Sequence, residues 1–173
     1  RGLNAMFAMM NAARLAVAVQ GVGQGARALE LAEAYAMQRV QSGRPIAQHA
    51  DVARMLAEMR AITMASRLLA LETAAAFDRH HLLGDAAAQV RNALLTPIAK
   101  AWCTDRGVEV ASLGIQVHGG MGFVEDTGAA QVMRDARIAP IYEGTNGIQA
   151  IDLLVRKVAK DGGDALRALL VEA

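Results

Sequence analysis

Glu143 has the surroundings that best suit a side chain for chemistry in this sequence. It lies within Ile141-Tyr142-Glu143-Gly144-Thr145-Asn146-Gly147, a short glycine-bounded turn between two helix-like segments. A carboxylate held on such a turn can face a cleft instead of solvating a helix flank. There it can act as a general base. Arg14 and Arg39 could supply charge, and they are 25 residues apart on one helical pattern. Steps of about 100° per residue return both to nearly one face, separated by roughly 37 Å along the axis. They cannot serve the same spot, and pattern alone reads each as a solvated charge.

Other groups attract attention and carry less. Ala16-Val17-Ala18-Val19 followed by Gly21-Val22-Gly23-Gln24-Gly25 imitates a strand and a dinucleotide-binding loop. The segment that follows, Leu31-Ala32-Glu33-Ala34-Tyr35-Ala36-Met37, keeps helical period and supplies no second strand. The glycines are therefore read as places where neighbouring helices approach closely. His49, His80, His81 and His118 lack metal-ligand spacing and no cysteine partners them, so no metal is expected. His118 is the histidine that adjoins a glycine loop. Glu125-Asp126 reads as a pair of solvated loop or cap acids, and Arg134-Asp135 as a structural pair. Cys103 lies in apolar helical context and reads as an inert small hydrophobe, and the nine methionines as core filler.

The elements that position these residues are helices. Apolar residues recur at three- and four-residue steps over residues 3–40, without proline. Ser42-Gly43-Arg44-Pro45 breaks that helix. A second is expected over residues 51–80, with Asp51 as N-cap and Leu56, Met59, Ile62, Met64, Leu68 and Leu71 on its buried side. Gly84-Asp85 opens a third, running to about residue 117, with Pro97 inside it as a kink. Gly119-Gly120-Met121-Gly122 should be an ordered loop. A short helix over residues 127–138, another over residues 146–158 and a last one over residues 165–171 complete the chain. No heptad repeat is visible.

Composition narrows the class. The 173 residues make one domain able to bury a core, 54% hydrophobic and only 3% aromatic, rich in Ala, Leu and Met. That favours an all-α bundle over a sheet. A net charge of +1 with interspersed signs offers no stripe for nucleic acid. The longest stretches free of charged residues, 15–26 and 111–124, fall short of the ~18 residues that cross a bilayer, so no membrane is expected. One cysteine and no signal-peptide pattern point to the cytoplasm. The opening at Arg1 suggests a processed chain or a piece of something longer.

Together these motifs resemble the C-terminal domain of the flavin-dependent acyl-CoA dehydrogenases. The resemblance runs over residues 9–157 and rests on four motifs in order. They are Arg14 with Arg39 25 residues later, Gln116-Val117-His118-Gly119-Gly120-Met121-Gly122, Met133-Arg134-Asp135-Ala136, and Tyr142-Glu143-Gly144-Thr145. The wording around His118 and Ile141 looks most like the branch that includes 3-methylmercaptopropionyl-CoA dehydrogenases. The resemblance implies an up-and-down helical bundle that oxidises an acyl-CoA to the trans-2-enoyl-CoA, with FAD as cofactor. It implies Glu143 as catalytic base, with its own amide N–H polarising the thioester oxygen. Arg14, Tyr142 and Gly144 then meet substrate, and Arg39, Gln41, Gln116, Gly119, Gly120, Thr145 and Gly147 meet FAD, Arg39 across a subunit boundary.

The partners implied are an electron-transfer flavoprotein and further copies of the chain, as a dimer or tetramer. Some relatives place the base directly before the first arginine, but Ala13 stands there, so Glu143 is the base available. Val40-Gln41-Ser42-Gly43 stands where many relatives have Thr-Phe-Gly, so no hydroxyl contact is expected at Gln41. Relatives also carry an N-terminal helical domain and a middle β-domain that this sequence does not contain. By itself it is expected to hold FAD weakly and to turn nothing over. The readings that stay open are a catalytically inactive assembly module and an acyl-CoA oxidase.

Overall fold

The computed structural model describes residues 2–172, and the side chains of all these except residues 3–5, 7 and 8. Three long helices form an up-down-up bundle: α1 (Gly2–Gln38), α2 (Ala50–Leu83) and α3 (Ala86–His118). The shorter elements are α4 (Gly120–Phe123), α5 (Ala129–Ile138), α6 (Asn146–Ile151) and α7 (Asp164–Glu172). A π-helical segment, Asp152–Val158, continues α6. The all-α expectation holds, and among the described residues no helix is long and apolar enough to cross a membrane.

The connections follow from turn chemistry. Ser42 and Gly43 both take positive φ, 51° and 76°, and close a two-residue antiparallel hairpin of β1 (Val40–Gln41) and β2 (Arg44–Pro45). That geometry is the tight turn whose twist matches paired strands. A break was expected here, without the hairpin. Between α2 and α3, Gly84 takes the left-handed conformation that ends a helix. Asp85 caps α3 by accepting from the Ala88 N–H at 3.0 Å, and Arg79 lies 2.7 Å from its other oxygen. The Ala88 N–H first, and Arg79 second, hold the Asp85 carboxyl below its ordinary range. Pro97 is buried inside α3 without ending it.

The core is built on close approach of α1 to α3, which run parallel. A Cβ added at Gly21 would come within 2.4 Å of the Cys103 carbonyl oxygen, and one at Gly107 within 2.6 Å of the Gly21 oxygen. Gly25 packs on Gly107 and Val110, and Gly114 on Ala28. Gly23 faces open space, so two of the three glycines do the work the sequence suggested for all three. Cys103 is fully buried, and burial pushes its thiol up to about 12.

Several expectations are corrected. The N-cap of α2 is His49; Asp51 lies inside the first turn, where its carboxylate is drawn to Arg54 at 3.1 Å. Met64, Leu68 and Leu71 are more than half exposed. The buried side of α2 is instead Leu56, Met59, Thr63, Ser66, Ala70 and Thr73. Those positions alternate by three and four residues, a heptad spacing hidden from an apolar reading because small and hydroxyl side chains carry four of the six. The glycine loop is not a loop throughout, since residues 120–123 form one helical turn. Arg134 pairs with Glu125 through two bonds of 2.9 and 2.6 Å, not with Asp135. Adjacent helical residues diverge by about 100°, which leaves Asp135 to accept from Gln131 instead.

The helix contact gives a paired prediction for thermal or urea unfolding. Gly21→Ala should cost at least about 2 kcal/mol, because backbone on both sides must move. Gly23→Ala should stabilise by up to about 1 kcal/mol through helix propensity. Equal effects would show that α1 and α3 do not meet at Gly21.

Candidate active site

The turn that carries Glu143 is strained and tied down at several points. Glu143 has φ 55°, in the left-handed region that costs a non-glycine residue about 1–2 kcal/mol, and Gly144 follows at φ 84°. Gln149, 1% exposed, holds this shape from beneath. Its Nε2 donates to the Gly144 carbonyl at 3.0 Å and to that of Glu143 at 3.4 Å. A Cβ on Gly144 would lie 2.8 Å from that nitrogen, so the position is closed to larger residues. The Asn146 N–H donates to the Pro140 carbonyl at 3.1 Å. Tyr142 donates its hydroxyl to the side chain of Gln20 on α1. Thr145 caps α6, its Oγ1 accepting from the Ile148 N–H at 3.4 Å, and Gly147 lies exposed in the first turn.

What the turn leaves free matters for chemistry. Among the described residues the Glu143 carboxylate has no hydrogen-bond or ion-pair partner. Among the described residues the backbone N–H groups of residues 143, 144 and 145 have no acceptor.

Two helices bring buried charge to the back of the turn. Arg14 on α1 is 5% exposed and bonds Asp152 at 3.0 Å, with Arg156 3.8 Å from the other Asp152 oxygen. Pattern alone made Arg14 a solvated charge, and its burial corrects that reading. Lys100 on α3 is completely buried, its Nζ donating to Asn146 Oδ1 at 3.0 Å. Burial pushes its ammonium down to about 8; Asp105 opposes that shift, Arg14 reinforces it and Glu143 opposes it. Beside the turn, Pro97, Trp102, Asn146, Gln149 and Leu153 line a mostly apolar cleft of about 300 Å³.

A second cleft, of about 430 Å³, gathers Arg39, Gln41, Gln116, Gly119 and Gly120 at the other end of the bundle. His118 lines it too, stacked on Tyr35 at 4.4 Å, with Nδ1 2.7 Å from the Gly114 carbonyl. In that bond Nδ1–H donates to the carbonyl. The flavin residues expected from sequence thus fall into two groups, Thr145 and Gly147 near Glu143 and the rest toward the other end of the bundle, where Arg39 lies roughly 28 Å along α1 from Gln20, the partner of Tyr142.

Sequence reading missed Lys100, Asp152 and Gln149. A signal for Lys100 existed: one lysine inside Ile98-Ala99-Lys100-Ala101-Trp102-Cys103, in a chain with 3 lysines among 18 basic residues.

Comparison with known proteins decides the family. A family model described as acyl-CoA dehydrogenase, C-terminal domain, matches residues 1–158. The chain belongs to this family. A 3-methylmercaptopropionyl-CoA dehydrogenase of Ruegeria pomeroyi is 52% identical across 96% of this chain and 30% of its own. An acyl-CoA dehydrogenase of Bacillus subtilis is 35% identical across 87% of this chain and 37% of its own. Among solved structures, Caenorhabditis elegans ACDH-11 in complex with C11-CoA superposes with a TM-score of 0.83 at 32% identity, over 87% of this chain and 26% of that one. The apo-form of a protein named Bd2924 superposes at 0.92 with 27% identity, over 98% of this chain and 34% of that one. This acyl-CoA dehydrogenase domain spans about a third of the length of the relatives it matches.

Lys100 makes the domain's stability depend on pH. Its folded pKa, about 8, lies below the unfolded value of 10.5, so the unfolded state binds more protons between them. Stability should therefore rise as pH increases through that window, and be flat below it. Cys103 acts oppositely above pH 9, because its thiol keeps its proton only when folded. In a Cys103→Ala background, stability should rise by about 1 kcal/mol between roughly pH 7.5 and 9, and Lys100→Met should abolish the rise. A flat profile in both would refute the buried ammonium.

Proposed function

We propose that this chain is the C-terminal catalytic and assembly domain of a flavoenzyme that converts an acyl-CoA to the trans-2-enoyl-CoA, with Glu143 as general base. The observation that carries the reading is an unpaired carboxylate on a strained turn, beside free backbone N–H groups, with buried cations behind it. Glu143 takes the proton α to the thioester carbonyl through a carboxylate oxygen. Its own N–H donates to the thioester oxygen, where negative charge grows as the proton leaves. Arg14 is held by Asp152 and adds positive potential to the site, while Tyr142 and Gly144 border the acyl group.

The cleft at Arg39 fits the pyrophosphate and adenosine of FAD. Among the described residues the Arg39 guanidinium has no carboxylate partner, and it offers the planar fork that suits phosphate oxygens. Gly119 and Gly120 present backbone to open space, where no Cβ would meet an atom of the chain. Gln116 and Gln41 add polar side chains from the cleft wall, and Thr145 and Gly147 border the flavin beside the base. FAD, when bound, supplies the acceptor for the hydride that leaves the β-carbon. Because the two groups of residues lie so far apart, the Arg39 end of a second copy completes the site at Glu143, which calls for a homodimer or tetramer. The 52% identity to the Ruegeria enzyme supports a short thioester of the 3-methylmercaptopropionyl type as substrate, and family resemblance supports an electron-transfer flavoprotein as acceptor.

The test uses the FAD-loaded holoenzyme, a panel of acyl-CoA thioesters that includes 3-methylmercaptopropionyl-CoA, and an artificial electron acceptor. Glu143→Gln should bind FAD and substrate yet lose about a thousandfold in kcat. A variant with normal turnover would place the base elsewhere, and a panel that favours long acyl chains would overturn the substrate assignment.

A further inference from the structure

We propose that Lys100 is a positioning residue for the Glu143 turn: its buried ammonium clamps Asn146 against α3 and fixes a positive charge behind the base. The proposal rests on Glu143 being the base.

The first argument is the clamp. Asn146 follows the Glu143-Gly144-Thr145 corner directly, and both ends of its carboxamide are used on α3. Its Oδ1 accepts from Lys100 Nζ at 3.0 Å. Its Nδ2 donates to Asp105 Oδ1 at 2.8 Å, Thr104 Oγ1 at 3.1 Å and the Ala101 carbonyl at 3.2 Å. The turn is therefore pinned to α3 through Asn146 as well as held by the Gln149 side chain.

The second argument is charge. A fully buried cation without a contacting carboxylate is costly, and a hydrocarbon of the same length would pack there more cheaply. Lys157 and Lys160, the other lysines of the chain, are not buried. The charged groups that act on Lys100 are Arg14 from α1, Asp105 from its own helix and Glu143 from the turn. Arg14 is already matched by Asp152 at 3.0 Å, and Asp105 is engaged with Asn146. Asp105 and, more weakly, Glu143 are the carboxylates that favour the Lys100 charge, and of the two Glu143 is the one without a hydrogen-bond partner among the described residues. The attraction between two such charges is mutual, so a change at either one is felt at the other.

The FAD-loaded holoenzyme provides the test. Lys100→Gln removes the charge and keeps a donor for Asn146, whereas Lys100→Met removes both. Both should move the acid limb of the pH profile of kcat/KM to higher pH by about 0.5–1 unit. Lys100→Met should also lower kcat at the plateau. A purely structural lysine would reduce flavin content or melting temperature and leave the limb in place, which would overturn the proposal. A second readout needs no Lys100 variant: the ¹³Cε resonance of Lys100, titrated in wild type and in Glu143→Gln. The Lys100 midpoint should fall by at least about 0.3 unit when Glu143 is neutral, and an unmoved midpoint would refute the coupling. Normal turnover by Glu143→Gln would defeat the base reading itself. An inactive Glu143→Gln with an unmoved limb in Lys100→Gln would defeat the role of Lys100 alone.

Discussion

Backbone contact between α1 and α3 is the constraint on which the molecule depends. At Gly21 and Gly107 the two helices approach so closely that a single methyl group would strike a main-chain carbonyl. The same parallel register recurs from Gly25 against Gly107 to Ala28 against Gly114 and Tyr35 against His118. Both functional regions are consequences of it. Toward the N-terminal side of the contact the register brings Arg14 and Lys100 together behind one turn. Toward the C-terminal side it brings Tyr35 and Arg39 to Gln116 and His118. The paired helices act as a rod whose two ends carry different chemistry.

At the Glu143 end, local stability is given up for placement. A glutamate in the left-handed region, a lysine without contact to a carboxylate and a buried arginine each oppose folding on their own. They persist because Gln149, Asn146 and Asp152 use their hydrogen-bonding capacity to fix the turn. The Gln149 Oε1 and Arg14 Nε atoms remain buried without partners, further polar cost at the same end. Strain and buried charge gathered at one turn are what a working site looks like in energetic terms.

The readable parts of the sequence were those that act locally. Gly84 and Asp85 mark the α2–α3 junction because a left-handed glycine and a capping carboxylate work within four residues of themselves. The Arg14 to Arg39 spacing foretold two separate regions, because helix geometry alone sets that distance. The Tyr142-Glu143-Gly144-Thr145 turn itself was legible from its glycines, but not its positive φ. Lys100, Asp152 and Gln149 escaped because a periodicity reading assigns polar helical residues to solvent. Only the tertiary fold turns these three inward. For the same reason Met64, Leu68 and Leu71 were assigned to the core: α2 buries Thr63, Ser66 and Thr73 in their place, leaving its larger apolar residues outside.

The central claim is that Glu143 removes a proton from carbon, and proton exchange reads that step separately from hydride transfer. Holoenzyme in D2O would be given an acyl-CoA analogue that binds but cannot lose a β-hydride, and deuterium at the α-carbon followed by NMR. Wild-type enzyme should exchange the α-proton, and Glu143→Gln should slow the exchange by about a thousandfold while binding the analogue equally well. Exchange at the wild-type rate in the variant would contradict the account.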